Sequence, residues 1–246
     1  MASPAGRDDT AAVPRRRPGR PRLTEPSPEY RRRLEEIIDT ATRVFHERGY
    51  DAGSLDDVAT VLGLRKASLY HYVRSKAQLL YLIFDRAITL SLQRLDQLSE
   101  ISDPRVRVAA LIEHQVRIMA EEPSLFSVFF DQRPRLDGSF DVAIRQKERA
   151  YVRRIAEIVD AAVAEGGLPD VDARHAAHAL LGMTSWVYKW FDPGRDDIDD
   201  VARTMVRLVL GAQVDFGSGP PVGPDDADSG KSCGWPVQVA DSTSIR

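Results

Sequence analysis

The segment between Gly49 and Lys76 constrains the fold most, because two short amphipathic patterns meet there at a glycine. Ser54 is a favourable helix N-cap, and Asp57 lies three residues later, as in an acidic form of the capping box. Gly63 is placed to end this first helix, since glycine adopts a positive φ without strain. Four apolar residues recur at helical spacing and predict its buried face: Leu55, Val58, Ala59 and Leu62.

A second short helix is predicted over Arg65 to Val73, with Leu69 and Val73 as its buried edge. Its other faces carry basic, hydroxylic and aromatic side chains, which are Arg65, Lys66, Ser68, Tyr70, His71 and Tyr72. Two helices joined by a glycine turn, the second with such a surface, are typical of a helix-turn-helix motif that enters the major groove of DNA.

These side chains suit different contacts with DNA. The two tyrosines and Ser68 can donate hydrogen bonds to phosphates, Arg65 or Lys66 can reach guanine, and His71 can reach a base or a phosphate. Lys76 follows a helix-capping serine, and a lysine at a helix N-terminus suits a phosphate. The alternative is that the tyrosines only pack in the core and that the charges form a solvated face.

From about residue 33 to residue 80, the chain resembles the DNA-binding domain of the TetR family of bacterial transcriptional regulators. The matching positions are Gly49-Tyr50, Leu55-x-x-Val58-Ala59, Leu62-Gly63-Leu64, Ser68-Leu69-Tyr70-His71-Tyr72-Val73 and Ser75-Lys76-x-x-Leu79. Val73 departs mildly from the family, because many members have phenylalanine there. The resemblance implies an all-helical second domain that dimerises through its last two long helices, here about 171–191 and 196–213.

The N-terminal segment is strongly basic, although the whole chain has a net charge of −3. Residues 1–33 hold nine arginines against four carboxylates, which concentrates attraction for phosphate in one place. Within it, a proline- and glycine-rich run resembles the core of an AT-hook, whose arginines lie along a narrow minor groove: Arg16, Arg17, Arg20 and Arg22. We expect residues 1–28 to be disordered without DNA. The alternative is a solubilising tail.

Helical periodicity continues through the rest of the chain, and no segment alternates for long enough to predict a strand. About nine helices are expected; besides the two above, they cover about 29–48, 75–99, 104–121, 124–131, 139–165, 170–191 and 196–214. The predicted fold class is therefore all-α. Its parts are a disordered basic arm (1–28), a helix-turn-helix domain (29–76), a helical ligand-binding and dimerisation domain (77–213) and a disordered tail (214–246).

Aromatic residues concentrate in the C-terminal half and predict a cleft for an apolar ligand. The candidate lining residues are Phe129, Phe130, Arg133, Tyr151, Met183, Trp186, Lys189 and Trp190. The segments Phe129–Arg135 and Trp186–Gly194 resemble those of actinobacterial regulators of lipid and sterol breakdown, which sense acyl-CoA thioesters. That resemblance implies an apolar tunnel for the acyl group and cations for the phosphates. For any single aromatic residue, an ordinary role in the core is the alternative.

Together these features predict a cytoplasmic, homodimeric regulator, most simply a repressor, which a small apolar effector releases from a palindromic DNA operator. Neither a membrane span nor a cofactor is expected, and no residue is proposed as catalytic or metal-binding, although His175 and His178 share a helical spacing of three. Two other classes remain open. One is an architectural DNA-binding protein that uses the arginine-rich arm and needs no ligand, and the other is an enzyme built on a helical bundle.

Overall fold

The computed structural model describes residues 27–136, 138–211, 214–216 and 237–239. The all-α class is confirmed. The helices are α1 (Pro28–Ala52), α2 (Leu55–Val61), α3 (Lys66–Tyr70), α4 (Lys76–Leu98), α5 (Pro104–Glu121), α6 (Pro123–Asp131), α7 (Gly138–Ala164), α8 (Ala173–Ser185), α9 (Val187–Trp190) and α10 (Ile198–Leu210). A single 3₁₀ turn, Arg133–Arg135, links α6 to α7.

Local sequence signals account for the geometry of the helix-turn-helix. The Ser54 hydroxyl accepts a hydrogen bond from the Asp57 N–H at 3.1 Å, and the Asp57 carboxylate accepts one from the Ser54 N–H at 2.9 Å, so the capping box is complete. Gly63 has φ +62°, which lets the chain turn from α2 into α3. Leu69 and Val73 are fully buried, as the periodicity predicts.

Residues from α4 to α10 form the larger helical body, and the buried residues of both parts belong to one continuous core. Helix α5 is its centre, because it packs against α4, α7, α8 and α10. Helix α6 packs against α1, so the larger body is in direct contact with the part that contains the helix-turn-helix. Within the described ranges, no helix is long and apolar enough to cross a membrane.

Several boundaries differ from those predicted. Helix α1 runs on to Ala52 through a kink at Gly49, whose φ of +76° breaks the helical geometry without ending the element. The helix predicted over 170–191 is divided into α8 and α9 at Trp186. Two three-residue strands, β1 (Val214–Phe216) and β2 (Val237–Val239), pair antiparallel where no strand is predicted. Three residues are too few for a period of two to be recognised.

Candidate DNA-binding surface and effector-binding region

Helix α3 presents most of the predicted DNA contacts to solvent. Arg65, Lys66, Ser68 and His71 are exposed, and Tyr70 is 44% exposed, while Leu69 holds the helix against the core. Arg65 is the N-cap residue of α3 and has extended backbone geometry. The same helix therefore anchors itself by one apolar edge and leaves donors and cations available on its other faces.

Both lysines of this surface make contacts within the protein. Lys66 Nζ lies 2.8 Å from a carboxylate oxygen of Asp56, which ties the start of α3 to α2. Lys76 Nζ donates to the Asp51 carbonyl oxygen at 3.1 Å and lies 4.4 Å from the centre of the Tyr50 ring. Lys76 thus closes the C-terminal end of α1 as well as standing at the N-terminus of α4.

An aromatic cluster joins the start of α1 to the end of α3. The Tyr72 ring stacks on Tyr30 with 4.8 Å between the ring centres, and His71 meets both rings edge-on. Tyr72 is therefore partly a packing residue, as the alternative interpretation proposed for the tyrosines. Tyr30, in the first turn of α1, therefore lies beside the C-terminal end of α3. The arm arginines Arg16, Arg17, Arg20 and Arg22 lie outside the described residues.

The predicted ligand residues do not all meet in one place. Phe129 is buried against Phe84 of α4, with 5.1 Å between ring centres, and Phe130 stacks on Tyr188 of α9 at 5.2 Å. The two rings therefore pack α6 against two different helices. Met183 is half-buried on α8. Trp190 is 38% exposed and Trp186 is 61% exposed, which places these two indoles at the surface of this chain.

Each cation predicted to meet phosphates is already paired with a carboxylate. Arg133 donates two hydrogen bonds to the Glu148 carboxylate, at 2.8 and 3.1 Å, and one to the Asp141 carboxylate, at 2.7 Å. The hydrogen bonds to Glu148 are the main cause of a raised pKa of the Arg133 guanidinium. The two remaining pairs are Arg135 with Asp51 at 2.5 Å and Lys189 with Asp131 at 2.9 Å.

Tyr151 belongs to a polar cluster inside the helical body. Gln115 of α5 donates to its hydroxyl, and burial raises the pKa of Tyr151 to about 12. Beside Gln115, His114 is 8% exposed, and burial, followed by the charge of Arg94, lowers its pKa to about 3. Neither His114 Nε2 nor Gln115 Oε1 has a hydrogen-bond partner among the described residues. An unpaired buried polar atom costs about 1–3 kcal/mol, so a polar ligand group would relieve this cost.

Large apolar side chains are also exposed on the two helices predicted to dimerise. Trp186 ends α8, and Leu208 on α10 is 74% exposed. Ala179 and Gly182 lie on the exposed side of α8 and add no bulk that would keep a partner helix away. A contiguous patch of such side chains would mark an interaction site, whereas single exposed apolar residues are normal on a protein surface.

Sequence reasoning missed three features of this region. It did not single out His114, which is buried, and the hydrogen bond between Gln115 and Tyr151 crosses between helices, so no local pattern reveals it. It also passed over the arginines of α7, although their spacing of four, from Arg145 to Arg153, was visible in the sequence. Among the residues that the structure describes, no group of histidine, cysteine and acidic residues is arranged to hold a metal ion.

Two known family models match separate parts of this chain. Residues 37–81 match the family model of the bacterial regulatory proteins of the tetR family. Residues 102–212 match the family model described as a tetracyclin repressor-like C-terminal domain.

The match to this chain extends over nearly the whole length of several relatives. The HTH-type transcriptional repressor KstR2 of Mycolicibacterium smegmatis is 26% identical over 73% of this chain and 89% of its own length. A TetR/AcrR-family regulator from Thermobifida fusca is 32% identical, with a TM-score of 0.61 over 74% of this chain and 98% of its own. The regulator AibR, in a structure with isovaleryl coenzyme A and operator DNA, is 28% identical, with a TM-score of 0.67 over 73% and 98% of the two chains.

Proposed function

Because the chain belongs to the TetR family of transcriptional regulators, we propose that it is a homodimeric repressor which a mainly apolar effector with an anionic end releases from a palindromic operator. The leading effector class is the acyl-CoA thioesters. Such a protein acts in the bacterial cytoplasm, where the operator lies. Like its relatives, it is a DNA-binding regulator and not an enzyme.

The exposed face of α3 carries the DNA-binding half of the proposal. Arg65, Ser68, Tyr70 and His71 are presented by a five-residue helix that follows the Gly63 turn. A single helix of this length reads few bases, so two copies related by a two-fold axis are needed for specificity, and a two-fold protein reads a palindrome. The start of α1 beside α3 favours an arm that reaches the adjacent minor groove.

Two observations support the effector half. Gln115 and Tyr151 are hydrogen-bonded to each other in an apolar interior, and both Gln115 Oε1 and His114 Nε2 lack a hydrogen-bond partner among the described residues. Gln115 Oε1 can only accept a hydrogen bond, so a ligand with an amide N–H group and an apolar chain would satisfy this oxygen and bury its own apolar surface. AibR, over 98% of its length similar to this chain, was crystallised with isovaleryl coenzyme A and operator DNA together.

The experiment is operator release by a series of acyl-CoA thioesters, followed by fluorescence anisotropy of labelled operator DNA. The right effector releases DNA and raises the melting temperature together, because it binds the DNA-free conformation more tightly. Gln115→Leu should weaken effector binding on the order of ten-fold, since it removes a buried polar partner, and should leave operator affinity unchanged. If no acyl-CoA both stabilises the protein and releases DNA, this effector class is wrong.

An architectural protein that binds DNA without a ligand is the competing function. It predicts little preference for sequence and a dominant contribution from the basic arm. Deletion of residues 1–26 tests this directly: the repressor should lose on the order of ten-fold in affinity, through lost arginine contacts, and keep its footprint on the operator. Loss of all sequence preference on deletion would favour the architectural function.

A further inference from the structure

A groove of about 520 Å³ opens at the surface between α7 and α8, and most of its charged lining residues are arginines. Arg145, Arg149 and Arg153 follow one another at a spacing of four along α7, so they project from one side of that helix. Helix α8 contributes Arg174 and His178, also four residues apart.

The charges of this groove are unbalanced. Glu148 is the one carboxylate in the groove lining, and Arg133 outside it already holds Glu148 at 2.8 Å. Arg145 is paired with Asp141 at 2.7 Å. Three exposed groove arginines make no ion pair with any residue that the structure describes, and these are Arg149, Arg153 and Arg174. The groove therefore carries an excess of positive charge.

The anionic end of the effector binds most favourably to cations that are not already paired with a carboxylate of the protein. Arg133, Arg135 and Lys189 fail this condition, because each already lies within 3 Å of a carboxylate oxygen. Breaking such a pair opposes binding, most for the partly buried pair of Arg133, and by at most about 1 kcal/mol for the exposed pairs of Arg135 and Lys189. The groove arginines meet the condition, and guanidinium groups bind phosphate through two parallel hydrogen bonds.

We infer that this α7–α8 groove binds the phosphate groups of a nucleotide-bearing effector, the chemical class to which acyl-CoA belongs. The inference rests on the proposed function. The groove is of the size that small-molecule sites have, and Val152 and Ala156 add an apolar surface for the base and the chain next to the phosphates. Arginine also stacks on planar bases, which suits an adenine beside the phosphates.

The test uses the full chain and titration calorimetry with four probes: coenzyme A, adenosine 3′,5′-bisphosphate, isovaleryl-CoA and isovaleryl-pantetheine, which lacks the nucleotide. The variant is Arg149→Gln with Arg153→Gln. The matched control is Arg154→Gln, on the same helix but outside the groove and paired with Glu157. The double variant should bind the three nucleotide-bearing probes on the order of ten-fold more weakly and isovaleryl-pantetheine equally well. The control should match the unmodified protein on all four.

Failure of the groove and failure of the proposed function give different results. If isovaleryl-CoA binds the double variant and releases its operator as it does for the unmodified protein, the groove is wrong and the function stands. If the nucleotide probes bind in the groove and no acyl-CoA releases DNA, the groove stands and the function is wrong. A loss of operator affinity or of the dimer in the double variant, with coenzyme A binding unchanged, would assign the arginines to those contacts and overturn the inference.

Discussion

At the residue scale, His114 makes stability depend on pH. Its folded pKa of about 3 lies below the ordinary value of 6.5, so the unfolded chain takes up the proton first and stability falls as the pH decreases from about 6.5 toward 3. Between pH 7 and pH 5 this amounts to about 2 kcal/mol. His114→Gln should lose less stability than the unmodified protein over that interval.

Urea unfolding at pH 7 and pH 5, at one protein concentration, measures this difference. Burial also shifts two carboxyl groups, since it raises the pKa values of Glu113 and Glu122. These groups contribute equally in both proteins, so the difference between the two pH dependences reports on His114. Equal losses in the two proteins would mean that His114 titrates normally.

A second residue-scale prediction concerns Lys76, which has two roles. Its ammonium group caps the end of α1 at the Asp51 carbonyl and, we propose, meets a DNA phosphate. Lys76→Ala should lower the melting temperature modestly and should reduce the slope of log K against log salt by roughly one unit. Tyr70→Ala is the matched comparison, because Tyr70 is exposed and uncharged: it should weaken operator binding and leave that slope nearly unchanged. An unchanged slope in Lys76→Ala would restrict Lys76 to its structural contact.

At the element scale, the Arg133–Arg135 turn connects α7 to the C-terminal end of α1. Arg133 binds Glu148 and Asp141 on α7, and Arg135 binds Asp51 at the end of α1. Glu148 also lines the arginine groove, so an anion bound there lies next to the carboxylate that fixes this turn. A shift of the turn would therefore change the position of the end of α1, close to Lys76.

Arg135→Gln should bind the effector with unchanged affinity and release the operator less completely. The pair with Asp51 is exposed and is worth about 0.5–1 kcal/mol at most, so a two- to five-fold weaker release is expected. Asp51→Asn should reproduce the effect, and the double variant should be no worse than either single one. Additive losses in the double variant would show that the two residues act independently and not as this pair.

At the scale of the whole molecule, we propose that the exposed surfaces of α8 and α10 form the dimer interface. Trp186 and Leu208 are 61% and 74% exposed, and we propose that a second copy covers them. Trp186→Arg with Leu208→Arg should give monomers in sedimentation velocity and should abolish tight operator binding, because a charged side chain placed in an apolar interface is left without a partner.

Val142→Arg is the matched control for the dimer. Val142 is also exposed, at 55%, but lies on α7 outside the two helices proposed to dimerise, so its variant should remain a dimer that binds the operator. If the double variant also remains a dimer, the subunit interface lies elsewhere.

Elements that depend on neighbouring residues could be predicted from the sequence. The capping box of Ser54 and Asp57, the positive φ at Gly63 and the buried edge of Leu69 all depend on residues within a few positions, so the helix-turn-helix and its exposed face were predictable. The all-α class follows for the same reason, since helical periodicity is read within one segment. The division between α8 and α9 was not predictable, because the apolar pattern runs through it.

Which charged and polar groups are available to bind a ligand depends on the tertiary structure. Arg133, Arg135 and Lys189 are cations in the sequence, but their partners lie 15, 84 and 58 positions away, so folding alone brings the carboxylates beside them. His114 and Gln115 are unremarkable in the sequence, and their unpaired atoms arise from burial between helices. The groove on α7 and α8 depends on how two helices pack, and packing is set by contacts that no single segment contains.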